Sequence, residues 1–344
     1  MNIATGPNPA PTRSRRRFGS SLFRSRTTRW ALGVLIFVHA LALIAPLLPL
    51  KSPSQTDIRS ALEAPTLEGI WENGSERHAD LHGATANGLL ASARSFLFGT
   101  GTLGPILGTD SLGRCVLSRL IFGARLSLAV GLLASAVSLL MGVLYGGIAG
   151  YCRGRIDQVM MRFVDVLYSL PLMFMVMFIV AMLRGIKEAR PDFALSQIFV
   201  LFLVIGAISW LTLARMVRSE VISLRETEFV LASVAAGSPP SRVLLRHMLP
   251  NVLPVVLVTL TLTVPRVMLF EAYLSFLGLG VEAPDVSWGL LARQGFDAMT
   301  AVHSSPWLIL VPGIAFAVTL LSMNLLGDGL RDALDPRLKQ RGSP

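Results

Sequence analysis

Apolar runs of membrane length recur along this chain, separated by polar segments. Uncharged stretches cover Trp30 to Leu50, Leu126 to Cys152, Val166 to Leu183 and Phe193 to Ala214. A fifth runs from Asn251 toward Phe270, interrupted by Arg266, and a sixth covers Trp307 to Leu326. Crossing about 30 Å of hydrocarbon takes roughly 20 helical residues, so the pattern predicts an all-α integral membrane protein with about six transmembrane helices. An even number of spans puts both termini on one side.

One polar segment, Arg215 to Pro250, carries the clearest local signals. A short helix is predicted from Glu228 to Ala236, with Phe229, Leu231, Ala232 and Ala236 apolar, and Gly237 breaks it. Ser238-Pro239 then offers an N-cap followed by proline at the first helical position, where a missing N–H costs nothing, so a second short helix is expected toward Met248. Leu249-Pro250 is expected to end it at the membrane edge. Two stubby helices around a glycine would form a rigid protrusion for a soluble partner.

Composition agrees with the pattern. Hydrophobic residues make up 52% of the 344 positions and charged residues 15%, far from the balance of a soluble domain. The net charge of +10 comes from arginines distributed over the segments between spans. Arg13, Arg15, Arg16, Arg17, Arg24, Arg26 and Arg29 precede the first run, Arg153, Arg155 and Arg162 follow the second, and Arg331, Arg337, Lys339 and Arg341 follow the last. By the positive-inside rule, these segments and the arginines of 215–250 face the cytoplasm, with both termini. Orientation thus accounts for the charge, and without an aromatic-interleaved basic groove no nucleic-acid partner is predicted.

This reading divides the chain into a basic cytoplasmic tail (1–29), a first span (30–50), an extracytoplasmic segment (51–123), a five-helix core (124–338) holding the 215–250 loop, and a cytoplasmic tail (339–344). The first run exceeds a signal-peptide core and lacks a small-residue cleavage site, so it is expected to stay as a span. Cys115 and Cys152 fall at opposite ends of the second span, which excludes a disulfide between them and predicts two packing residues.

The chemistry an enzyme would need does not emerge. The sequence has no G-x-x-x-x-G-K-[ST] phosphate loop, no H-E-x-x-H zinc helix, no G-x-S-x-G elbow and no Cys/His cluster at metal spacing. A chain without catalytic, cofactor-binding or metal residues is therefore expected. An ion-coupled carrier needs acids within its spans, and these are nearly charge-free. Arg266 and Glu271 are the exceptions: they are candidates for a pathway or gate, with snorkelling of Arg266 toward headgroups as the alternative. Five positions apart on a helix, they do not face each other squarely. His39 is expected to make a helix contact, and Asp157 and Asp165 to pair with neighbouring arginines.

Several motifs in order give these features a frame. Leu107-Gly108-Thr109-Asp110-Ser111-Leu112-Gly113-Arg114 with Ser118-Arg119, Met161-Arg162-Phe163-Val164-Asp165, Arg246-His247-Met248-Leu249-Pro250-Asn251, Leu274-Ser275-Phe276-Leu277-Gly278-Leu279-Gly280 with Ser287-Trp288-Gly289, and Gly327-Asp328-Gly329-Leu330-Arg331 appear in turn. From Trp30 to Leu338 the chain resembles the permease subunits of binding-protein-dependent ABC importers of the dipeptide and oligopeptide type. The resemblance implies the type I importer permease fold, in a bacterial cytoplasmic (inner) membrane. It further implies a second homologous permease subunit, two ATPase subunits that bind ATP and magnesium, and an extracytoplasmic peptide-binding protein that delivers peptide.

The family's contact motif for the ATPase falls on Leu231-Ala232-Ser233, Gly237 and Leu249-Pro250. Leu231 replaces its usual glutamate, Ser233 its second alanine and His247 an apolar residue, while Glu228 lies upstream, out of register. The resemblance thus makes 215–250 the coupling loop, with Glu228, Leu231, Ala232, Ser233, Gly237, Arg246, Leu249 and Pro250 as its candidate contacts. Cys115 also departs from the family, where aspartate commonly follows Gly-Arg. A permease of the same build carrying nickel or another small solute, a secondary carrier and a membrane scaffold are the competing readings.

Overall fold

The structure is a computed structural model that describes residues 25–67, 70–73, 88–99, 101–190, 197–299 and 305–334. The tail arginines before residue 25 and the end of the chain from 335, with the sidedness expected of them, lie outside the described residues.

Nearly every element is helical. α1 (Arg26–Ile44) leads through a 3₁₀ turn (Ala45–Leu47) into an irregular segment holding β1 (Trp71–Asn73), α2 (Gly88–Phe98) and β2 (Gly101–Leu103). Then follow α3 (Val116–Cys152), α4 (Gly154–Ser169), α5 (Leu172–Ala189), α6 (Gln197–Arg225), α7 (Glu228–Ala235), α8 (Leu249–Phe276), α9 (Trp288–Ala298) and α10 (Trp307–Leu334). The two strands form a small antiparallel ribbon pairing Trp71 with Leu103.

Among the described residues, four helical stretches are long and apolar enough to cross a membrane: Arg26–Leu47, Val116–Cys152, Pro240–Phe276 and Trp307–Leu334. α4 and the start of α5 form a bent pair that counts as a fifth candidate, and α6 follows the fourth apolar run, so each of the six expected runs falls on a helix or a bent helix pair. The expected span from Val166 to Leu183 is broken and not continuous. α4 and α5 meet at a bend of 81°, because Pro171 drives the preceding Leu170 out of helical space, to φ −79° and ψ 134°.

α3 extends beyond its apolar run. It starts at Val116, ten residues ahead of the apolar run at Leu126, so residues 116–123 are helical. The charge at the edge of the predicted span is Arg125, which stays exposed, while Ser118 and Arg119 two turns earlier are turned inward and buried. Of the two cysteines, Cys115 is buried as expected of a packing residue; Cys152, at the helix end, is exposed and packs against nothing that hides it.

The most extensive helix contact joins α3 to α6, and small residues make it possible. Gly142, Gly146 and Gly150 lie one turn apart along a single α3 face. A methyl at Gly146 would stand 2.3 Å from the Ala214 carbonyl oxygen, and one at Gly150 2.8 Å from that of Arg218. The two backbones thus approach as closely as in small-xxx-small membrane pairs. Around this contact, Val130 and Ala134 of α3, Ile205 and Ile208 of α6, and Val267 and Leu274 of α8 form one buried cluster. A second cluster brings Leu35 of α1 against Leu128, Met268, Trp288 and Met323.

Candidate functional site

The segment from α6 to α8 builds a protrusion. α7 begins after Thr227, whose extended backbone makes it the N-cap. Glu228 opens α7 with its negative charge at the positive end of the helix dipole. The helix ends in a Schellman motif. The Ser238 N–H donates to the Ser233 carbonyl at 3.2 Å and the Gly237 N–H to that of Val234 at 2.9 Å. Gly237 has φ +77°, and the space where a Cβ would stand is empty, so the position selects glycine by backbone conformation and not by crowding.

Burial sorts the residues of α7. Val230 is 1% exposed and packs with Val217, Val221, Val243 and Met248, which fixes α7 onto α6 and the following turns. Phe229, Leu231 and Val234 are 45%, 55% and 51% exposed. Ala232 and Arg246 are exposed as well, and Ser233 half-buried. Three large apolar side chains, Leu231 among them, are therefore offered to the surroundings on a short, anchored helix.

Beyond Gly237 the chain differs from expectation. The N-cap is Pro239, not Ser238, and no side chain caps the turn; Pro240 takes the first helical position of a single α turn, Pro240–Arg242. Val243–Met248 then widens into a π-helical turn that runs straight into α8. Leu249-Pro250 does not end a helix, as was predicted, but lies in the first turn of the next. A proline ring clashes with the carbonyl four residues back, and the wider π turn displaces that carbonyl, so the rod survives its proline.

The base of the protrusion is clamped by ions. Arg218 donates two hydrogen bonds to Asp157, Arg215 pairs with Asp165 at 2.7 Å, and Arg153 with Glu226 at 2.8 Å. Arg225 donates to the Tyr151 carbonyl at 2.7 Å. Asp157 and Asp165 thus pair as expected. Three of these ties join α6 to α4 or to the end of α3; the Asp157 bond strengthens its partner, and the Arg218 pKa is raised.

Arg266 and Glu271 are not brought together. Glu271 is fully buried, accepting hydrogen bonds from Ser275 at 2.7 Å and Ser127 at 3.3 Å. Those two hydroxyls also receive the Val281 and Trp288 N–H groups, so this acid organises the loop between α8 and α9 against α3. Arg266 is exposed and lines a cleft of about 200 Å³ between α4, α6 and α8. His39 Nδ1 lies 2.7 Å from the Leu35 carbonyl oxygen, one turn earlier in its own helix.

A further cluster escaped the sequence reading. The Asp110 carboxylate accepts from Arg114 Nε at 2.8 Å and from Arg119, and both arginines also donate to Gln294 of α9. All three charged groups are buried. The motif Thr109 to Arg119 was recognised, but its partner lies 175 positions away from Arg119, where no local pattern points.

With this geometry, comparison with known proteins gives a consistent result. Residues 142–340 match the family described as binding-protein-dependent transport system inner membrane component. The chain is 36% identical to the oligopeptide transport system permease protein OppC of Haemophilus influenzae, over 94% of this chain and 88% of that protein. It is 41% identical to the dipeptide transport system permease protein DppC of Bacillus subtilis, over 68% of this chain and 69% of the relative. To OppC of Salmonella typhimurium it is 44% identical, over 68% and 73%.

Proposed function

This chain belongs to the binding-protein-dependent transport system inner membrane component family, and we infer that it is a permease subunit of an ATP-driven peptide importer. Peptide as cargo rests on the relatives, which are named as oligopeptide and dipeptide transport permeases. In this reading the chain forms half of a translocation pathway beside a second, homologous permease, receives peptide from an extracytoplasmic binding protein, and takes its motion from two ATPase subunits. The termini and the protrusion face the cytoplasm.

The observation that carries the coupling role is the division of α7 into one buried valine and three exposed apolar side chains. An exposed Phe, Leu and Val on a water-facing helix bury their apolar surface once a groove of a soluble subunit covers them, which stabilises docking by roughly 1.5–3 kcal/mol per fully covered side chain. Val230 and the ion clamps make the protrusion stiff, and a stiff element keyed into two closing ATPase subunits passes their movement to α6 and α8.

Purification from the native host in mild detergent tests the reading. The expected result is a four-subunit core with ATPase activity that takes up peptides of a few residues in preference to nickel. A lone chain active in gradient-driven uptake would sink it.

A further inference from the structure

Arg266 stands ten positions before the end of the 28-residue helix α8, roughly 15 Å along the axis. With the end of this apolar helix at the membrane surface, that depth falls within the hydrocarbon, where an unneutralised cation is costly and marks a functional position. The side chain is exposed to the cleft lined by Tyr168, Ser209, Thr212, Thr263 and Phe270, and makes no ion pair or hydrogen bond among the described residues.

The rest of the cleft has little to donate. Ser209 Oγ gives its proton to the Ile205 carbonyl at 2.8 Å, and Thr263 Oγ1 to that of Thr259 at 2.9 Å. Tyr168 and Thr212 share a hydrogen bond of 2.5 Å with each other. The nearby Arg215, stacked 3.9 Å over the Tyr168 ring, is already paired with Asp165. One uncommitted guanidinium is left among apolar walls and spent hydroxyls. Its fork of N–H groups fits an acceptor with two oxygens in one plane, which is a carboxylate. The cleft, about 200 Å³ and open on one side, admits a terminal group and leaves the rest of the cargo to the pathway outside it.

We propose that Arg266 holds the terminal carboxylate of the peptide in transit. This rests on the peptide-importer reading and adds to it a polarity: cargo is gripped by its C-terminal end, and a carboxylate is favoured over a neutral or cationic terminus.

The test uses the complete transporter, reconstituted in vesicles with its binding protein, and one tetrapeptide as free acid and as C-terminal amide. Binding-protein affinity for each is measured separately and divided out. The expected result is uptake of the acid about tenfold faster than the amide, loss of that ratio in Arg266→Gln with complex assembly intact, and partial retention in Arg266→Lys. Equal loss for both peptides in Arg266→Gln, or an unchanged ratio, would overturn the proposal. So would dissociation of the complex in that variant, which would assign the guanidinium to an acid of the second permease subunit. A wild-type complex that carries neither peptide while carrying another solute would instead overturn the peptide reading, and the proposal with it.

Discussion

Arg218 on α6 meets Asp157 on α4 side-on, with Nε 2.5 Å from one carboxylate oxygen and Nη2 2.6 Å from the other. The acid is nearly enclosed and the guanidinium keeps about a third of its side chain in contact with solvent. Removing the arginine leaves a buried carboxylate without a partner. Arg218→Ala should therefore cost about 1–2 kcal/mol, reduced from the fully buried case by solvent screening, and Arg218→Lys less. Thermal unfolding in detergent measures both, and an unchanged midpoint for Arg218→Ala would remove the clamp from the account.

The Gly237 turn separates conformation from crowding. Because a Cβ there would touch nothing, Gly237→Ala should cost only the left-handed backbone strain, about 1 kcal/mol. Gly237→Pro should do more, since it also removes the N–H that donates to Val234. The expected outcome is membrane insertion with ATP hydrolysis uncoupled from uptake. Unchanged transport per ATP hydrolysed in Gly237→Pro would argue against docking at this turn.

Two adjacent glycines on α3 should respond oppositely. Gly146→Ala drives a methyl into the Ala214 backbone and should cost about 1–3 kcal/mol by forcing α3 and α6 apart. Gly147→Ala meets only the flexible tips of Leu249, 3.3 Å away, and Leu244, 3.7 Å away, and gains helix propensity worth up to about 1 kcal/mol. Yield of folded protein and thermal midpoint report both; equal effects would mean that the close approach of the two helices does not limit stability.

The Asp110 cluster holds two cations on one carboxylate. Asp110→Ala leaves Arg114 and Arg119 enclosed with Gln294 as their remaining side-chain partner, and should cost about 3–5 kcal/mol. Loss of folded protein in the membrane is the expected readout, and normal yield with normal uptake would show that the outer segment tolerates the unpaired charges.

How much of this could be read in advance follows from the range of each interaction. The apolar runs placed α1, α3, α8 and α10, since membrane length is a property of contiguous sequence. The α7 helix and its Gly237 stop were equally local. The bend at Pro171 was local too, but the uncharged run from Val166 to Leu183 masked a proline signal that lay in plain view. The spacing of Gly142, Gly146 and Gly150 was also there to be seen, though its meaning depends on Ala214 and Arg218 of another helix. Gln294 between two arginines, Glu271 among serines and the π turn before Pro250 come from tertiary packing, which periodicity does not encode.

The widened turn at Val243–Met248 fixes an azimuth as well as a path. A π turn carries one residue beyond the α-helical register, and each residue advances the helix by about 100°. Deleting one residue there should leave α7 docked by Val230 yet rotate every side chain downstream, swinging Arg266 out of its cleft and Glu271 off its serines. The proline at 250 and the cation at 266 are thereby set by one phase, and the helix transmits rotation as faithfully as it transmits thrust.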